Sequence, residues 1–227
     1  MPQLLRKTVL LVAWEPARSR AWQRELADHD EWAVLAPVHA VCLAQAQLNQ
    51  QRPDLLITDL RMPDGTAIDL VRSLRHNHPA RAGDDLAGQI LVMTQGPDAL
   101  LLEALQEGAD NFLDDAELGA NPLSRHARDT LAGGAHMAPW VARRLLDYFG
   151  VYGIDRPHPG QHEGFSPLEL SRAERQLLRQ LSIGQRLADV AHSLGLAPRD
   201  GAARVRSIYR KMQWALRAGD LTLSPGR

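Results

Sequence analysis

Through the first ~135 residues, continuous apolar runs alternate with stretches whose apolar positions recur every three or four residues. The runs at 8–12, 55–58 and 90–94 carry almost no polar alternation, as strands buried on both faces of a parallel sheet do; shorter β-like stretches lie at 32–35 and 111–113. Helical spacing marks 17–27, 41–49, 67–75 and 98–107, and Ala120, Leu123, Ala127 and Leu131 extend the series. Five β–α units predict an α/β fold, an open, doubly wound, five-stranded parallel sheet over residues 1–135.

A different pattern follows. Residues 140–149 read as one more helix, and 150–165 hold four glycines and two prolines without apolar periodicity, which predicts a flexible linker. Residues 136–165 are therefore expected to connect two domains, and 166–227 to form an all-α domain. Its first helix opens on the capping box Ser171-x-x-Glu174, carries Leu177, Leu178 and Leu181 on one stripe, and stops at Gly184. A second helix has Leu187, Val190, Ala191 and Leu194 on one face and ends at Gly195. The third starts at Pro198, a residue suited to a first helical turn.

At ~100° per residue, Arg199, Ala202, Ala203, Arg206 and Arg210 of that third helix fall in one stripe. Val205, Ile208 and Met212 oppose them, and Tyr209, Arg204 and Lys211 lie on the flanks. Arginines set around small residues suit a helix that sits deep in a major groove and pairs with guanine or phosphate. Two short helices and tight turns just before it complete a helix-turn-helix pattern.

Charge sharpens this division. The chain of 227 residues has a net charge of −1, but eleven basic and five acidic residues follow position 165, a balance of +6 that leaves −7 on the rest. Such asymmetry points the basic part toward a polyanion, here double-stranded DNA. Cys42 is the single cysteine, which suits a reducing compartment, and no apolar run approaches the ~18 residues of a membrane span. A cytoplasmic protein without a membrane partner is expected. The scattered histidines have no cysteine company, so no metal site is predicted.

The stretch from Leu170 to Met212 resembles, without a gap, the four-helix DNA-binding domain of NarL/LuxR-type transcription regulators. The shared skeleton is Glu174-Arg175, Leu178, Gly184, Val190-Ala191, Leu194, Leu196, Val205, Ile208, Arg210-Lys211 and Met212. The resemblance implies that Ala202, Ala203 and Arg206 face the groove, with Arg199, Arg204, Arg210 and Lys211 nearer phosphates. It also implies a homodimer. Asp200-Gly201 departs from the family's threonine–valine pair, bringing a negative charge near DNA and removing a packing side chain. Residues 213–227 are shorter than the family's usual fourth helix.

Residues 7–133 resemble the CheY-like receiver domain of bacterial two-component response regulators, most clearly in "DLLITDLRMPDGTAIDLV". Asp59 falls at the carboxyl end of the third strand, where ligands gather in open α/β sheets. The resemblance implies that Asp59 is the position that accepts a phosphoryl group from a histidine kinase. It implies that Thr94 is the hydroxyl that binds that group and Phe112 the aromatic switch. Phosphoryl transfer to a carboxylate needs Mg²⁺ and a nearby cation, and Mg²⁺ wants carboxylate and water oxygens.

The family supplies these with an acidic pair after the first strand and a lysine after the fifth. Here the pair reads Ala13-Trp14, followed by Glu15, which reaches inward only if the backbone bulges. The lysine position is Asp115, and the only lysines are Lys7 and Lys211. An atypical receiver without Mg²⁺ or another cofactor is expected, with the Trp14 ring filling the vacant metal site and stabilising the fold by roughly 2–3 kcal/mol through burial.

Three roles for Asp59 stay open: a vestigial carboxylate, a slowly or kinase-assisted phosphorylated one, or part of a repurposed pocket. The expected function is a DNA-binding transcription regulator, not an enzyme, acting through dimerisation or through masking of its basic domain by its acidic one. The alternatives are an ordinary phospho-Asp59 response regulator and an interaction protein without specific DNA binding.

Overall fold

The computed structural model describes residues 6–77, 88–118, 122–151 and 169–222. The chain divides into two compact units, 1–133 and 134–227. In the first, the strands are β1 (Lys7–Val12), β2 (Trp32–Val34), β3 (Leu55–Asp59), a two-residue hairpin of β4 (Arg61–Met62) and β5 (Gly65–Thr66), β6 (Gln89–Thr94) and β7 (Asn111–Asp114). The five longer ones form one parallel sheet in the order β2-β1-β3-β6-β7. The helices are α1 (Pro16–Ala27), α2 (Val41–Gln50), α3 (Ala67–Asn77), α4 (Ala99–Glu107), α5 (Asp115–Leu118) and α6 (Leu123–Leu131).

The apolar runs become central strands because both sheet faces are covered. Side chains alternate along a strand, so Val9, Leu11 and Ala13 share the face that buries Trp22 and Leu26 of α1 and Ala127 of α6. Leu10, Leu56 and Ile90, on the opposite face, are equally buried. Asp98 caps α4, its carboxylate accepting from Leu100 N at 2.9 Å. Asp64, in the hairpin turn, caps α2 from outside by accepting from Val41 N and Cys42 N. The last helix of this unit begins at Leu123, after Pro122, and Ala120 lies outside the described residues.

Register places the chemistry. Val12 pairs with Thr58, Asp59 with Met93, and Thr94 with Asp114. The residues that end or follow these strands, Ala13, Asp59, Thr94 and Asp115, therefore gather at one carboxyl edge.

The second unit holds α7 (Pro139–Val151), α8 (Arg172–Ser182), α9 (Leu187–Ser193) and α10 (Pro198–Thr222). The capping box of α8 is formed in both directions, Glu174 N to Ser171 Oγ and Ser171 N to Glu174 Oε2. Gly184 and Gly195 take positive φ at the two turns, where a Cβ would be strained. Helix α7, read from sequence as part of a connector, packs on α8: Val141, Ala142, Leu145 and Phe149 are buried, and Arg143 reaches the Ser182 carbonyl at 2.6 Å. Helix α10 continues unbroken past Met212 to Thr222, so most of the stretch compared with the family's fourth helix prolongs the third.

Candidate functional site

At the carboxyl edge of the first unit the group that organises the site is an arginine the motifs do not reveal. Arg18 sits in the first turn of α1, which Pro16 initiates. Its guanidinium nitrogens Nη1 and Nη2 form a bidentate pair with the Asp115 carboxylate. Its Nε lies 3.0 Å from Asp59 Oδ1 as an ion pair, and the ring of Trp22 lies beneath at 4.8 Å. The fork, the strongest geometry arginine offers, goes to Asp115, and Asp59 receives the charge without a well-aligned N–H.

Asp59 also accepts a hydrogen bond from the Trp14 backbone N–H at 3.1 Å. Burial nevertheless pushes its carboxyl up to about 6, helped by the nearby charges of Asp115 and Glu15 and opposed by Arg18 and the Trp14 N–H. Burial wins because Arg18 is shared between two acids.

The other predicted residues fall as follows. Ala13 is fully buried, and its carbonyl meets His39 Nδ1 at 2.7 Å. Glu15 is exposed at the N-cap position of α1 and makes no side-chain cap bond. Thr94 donates its hydroxyl to Gly96 O at 2.8 Å, and Phe112 is buried in the core. The expectation that the Trp14 ring fills the metal position is corrected: the ring is 50% exposed, and Arg18 lies between the acids instead. The indole follows the last buried residue of β1 outward, while its backbone alone serves Asp59.

Magnesium does not fit this donor set. Ala13 offers only a carbonyl already engaged by His39, and a guanidinium stands between Asp59 and Asp115 where a divalent cation would meet repulsion. Among the described residues, no three His, Cys, Asp or Glu side chains are grouped to hold a metal. A cleft of about 250 Å³ opens over Asp59, lined by Trp14, Arg18, Arg61, Thr94 and Asp98. Arg61 is tied to Asp98 across its rim at 2.6 Å.

In the second unit, Val205, Ile208 and Met212 of α10 are buried as expected, and Arg199, Ala203 and Arg210 are exposed. Ala202 and Arg204 are half-buried. Two readings are corrected. Arg206, expected to point outward, is only 4% exposed. It lies between Ala202 and Tyr209, on a strip that residues 135–137 meet through hydrogen bonds. Lys211, expected nearer phosphate, donates to Glu174 Oε2 at 2.6 Å and to the Glu169 carbonyl at 2.8 Å. Burial raises the Glu174 carboxyl, but Lys211 and Ser171 outweigh it and hold it below its ordinary range.

Gly201 explains the departure at Asp200-Gly201. A Cβ there would stand 2.9 Å from the Cβ of Ala191, so glycine lets α10 and α9 approach more closely than a larger residue would. Sequence reasoning missed Arg18 although a signal was present. Arg18, Trp22 and Leu26 are spaced by four, so the arginine shares the buried stripe of α1 and requires a buried acid.

A five-stranded parallel sheet in this order, with an acid at the end of its third long strand, defines a receiver-type fold followed by a helical unit. The description "Response regulator receiver domain" matches residues 9–116. The DNA-binding transcriptional activator DevR/DosR of Mycobacterium tuberculosis is 30% identical over 183 residues, covering 80% of this chain and 77% of that protein. The chain belongs to the response regulators.

Among solved structures, the RcsB–DNA complex is similar in fold at 16% identity, with a TM-score of 0.51 over 94% of this chain and 98% of RcsB. A LuxR-family response regulator from Aurantimonas sp. SI85-9A1 matches at 24% identity and a TM-score of 0.52, covering 63% of this chain and 97% of that one. None of the described helices is long and apolar enough to cross a membrane.

Proposed function

We propose that this chain is a transcription regulator that binds double-stranded DNA as a homodimer through α10, with a receiver that does not depend on Mg²⁺-assisted phosphorylation. The observation that carries the second half is Arg18 between Asp59 and Asp115. A fixed guanidinium supplies the positive charge that an ordinary receiver borrows from a metal and a lysine, and it occupies the approach a phosphoryl group would use. The receiver is then held in one arrangement whatever the state of a histidine kinase. Similarity to DNA-binding activators, the +6 balance after residue 165 and the exposed Arg199 and Arg210 support the first half.

Acetyl phosphate with Mg²⁺, followed by intact-mass measurement, is expected to leave the protein unmodified. Addition of one phosphate at Asp59 would overturn the metal-independent reading. Gel shifts on genomic fragments are expected to show salt-sensitive binding that Arg199→Ala weakens.

A second reading, an interaction protein without specific DNA binding, is favoured by the burial of Arg206 and the commitment of Lys211 to Glu174. No shift at low salt for wild type and for any variant that frees the helix would support it.

A further inference from the structure

Burial divides α10 unevenly and leaves a charged doublet in its first turn. Val205, Arg206, Ile208, Tyr209 and Met212 are covered. Arg199 and Asp200 are exposed, as are Ala197 and Pro198 just before them. A side chain that reads a base edge must project from the helix, so the reading positions shift from the middle of α10 to its start. A recognition helix seated in a major groove contacts base edges with its first residues, which agrees with that shift.

At ~100° per residue, the exposed Ala203 stands between Arg199 and Asp200 on this side of the helix, and its methyl group permits close approach. Gly201 lies on the opposite side, where a Cβ would stand 2.9 Å from the Cβ of Ala191. The first turn is thus pressed against α9, and its outward direction is fixed. Among the described residues, neither the Arg199 nor the Asp200 side chain makes a hydrogen bond or ion pair, with each other or with a neighbour.

The two side chains are opposite in kind: a guanidinium offers only donors and a carboxylate only acceptors. In the major groove guanine presents the acceptors N7 and O6, and its partner cytosine presents the N4 amino donor. Adenine sets its N6 donor beside the N7 acceptor, whose lone pair would face the second carboxylate oxygen. Guanine and thymine present no amino group there. We infer that Asp200 is a specificity-determining residue that accepts from a cytosine amino group while Arg199 donates to guanine in the same or the next base pair; this rests on the reading of α10 as the DNA-contacting helix. The carboxylate acts mainly by exclusion. On any other base it meets a lone pair, and beside phosphate it is repelled, so wrong sequences are weakened and the right one keeps its bond.

The test uses the full-length wild type, Asp200→Ala and Asp200→Asn. Each is taken through selection of bound duplexes from a randomised library. Gel shifts follow on the selected site and on versions with single base pairs replaced, all at one salt concentration. The wild type is expected to select a G·C pair whose replacement weakens binding at least about fivefold. Asp200→Ala should bring that loss below about twofold and tighten binding to unselected duplex. Asp200→Asn, whose amide can pair with adenine N6 and N7, should move the preference at that position from cytosine to adenine.

Identical preferences for the wild type and Asp200→Ala would overturn the inference and leave Asp200 as an acid that only steadies the start of its helix. Weaker binding of Asp200→Ala to every duplex would overturn it as well, because the loss of a repelling carboxylate cannot act in that direction. If the wild type shifts no duplex at low salt, the DNA-binding reading fails and this one falls with it. Binding that Arg199→Ala weakens, with preferences unchanged in both Asp200 variants, strikes Asp200 alone. Asparagine keeps the size of the side chain, so an equal Tm for Asp200→Asn separates a change of preference from a change of fold.

Discussion

Arg18 and Arg206 are both largely covered, and what covers them differs in kind. Arg18 is clamped by two carboxylates on the ends of β3 and β7, strands locked by parallel pairing in the middle and at the side of a sheet. Arg206 is covered on a strip met by a short irregular segment whose hydrogen bonds include Ala135 N to the Ala202 carbonyl and the Tyr209 hydroxyl to the His136 carbonyl. The first arrangement cannot open without leaving buried charge unpaired, whereas no carboxylate is placed on the strip beside Arg206 by the segment 135–137.

The largest effect expected from breaking this contrast is at Arg18. Arg18→Ala leaves Asp59 and Asp115 facing each other without a cation, and denaturant unfolding at neutral pH should show a loss of about 3–5 kcal/mol. A loss below about 1 kcal/mol would mean that the acids relax into solvent and that the edge is pliable.

The pH dependence comes next. Asp59 titrates near 6 in the folded protein and near its ordinary 3.8 when unfolded, so between those values only the folded state keeps the proton. Its contribution to stability is full below about pH 4, falls as pH rises through 4 to 6, and is lost above; the whole change is about 3 kcal/mol. Asp59→Asn should remove this slope and leave a protein at pH 7.5 at least as stable as wild type. A variant with the wild-type pH profile would place the slope elsewhere.

Gly201→Val tests the second unit. Forcing side-chain atoms against Ala191 and Leu187 should cost about 1–3 kcal/mol and lower Tm, with the receiver unit unaffected.

Trp14→Ala is expected to matter least, by less than about 0.5 kcal/mol, because the half-exposed ring packs little and the backbone N–H that serves Asp59 is kept. A loss of 2–3 kcal/mol would instead place the indole in the pocket.

Much of the fold was legible along the chain. The unbroken apolar runs of β1, β3 and β6 permit only strands covered on both faces, and Ser171-x-x-Glu174 announces the start of α8 through local bonds alone. The position of Asp59 was legible too, because a strand's last residue is set by where its apolar run stops. Trp14 was misread because a side chain following a buried strand has two directions open to it, and neighbours decide between them. Arg206 was misread for a similar reason: a helical wheel shows which residues share a side, not which sides another segment covers.

By itself the sequence determined most of the secondary elements, the parallel sheet they build and the acid at the end of β3. These depend on periodicity and local bonding, which neighbours in the chain supply. Only tertiary structure decided that Arg18 stands between Asp59 and Asp115, that Gly201 brings two helices together, and that residues 135–137 lie on α10. Each joins groups tens of residues apart or unites packing faces, and its energy exists only once burial has removed water from between them.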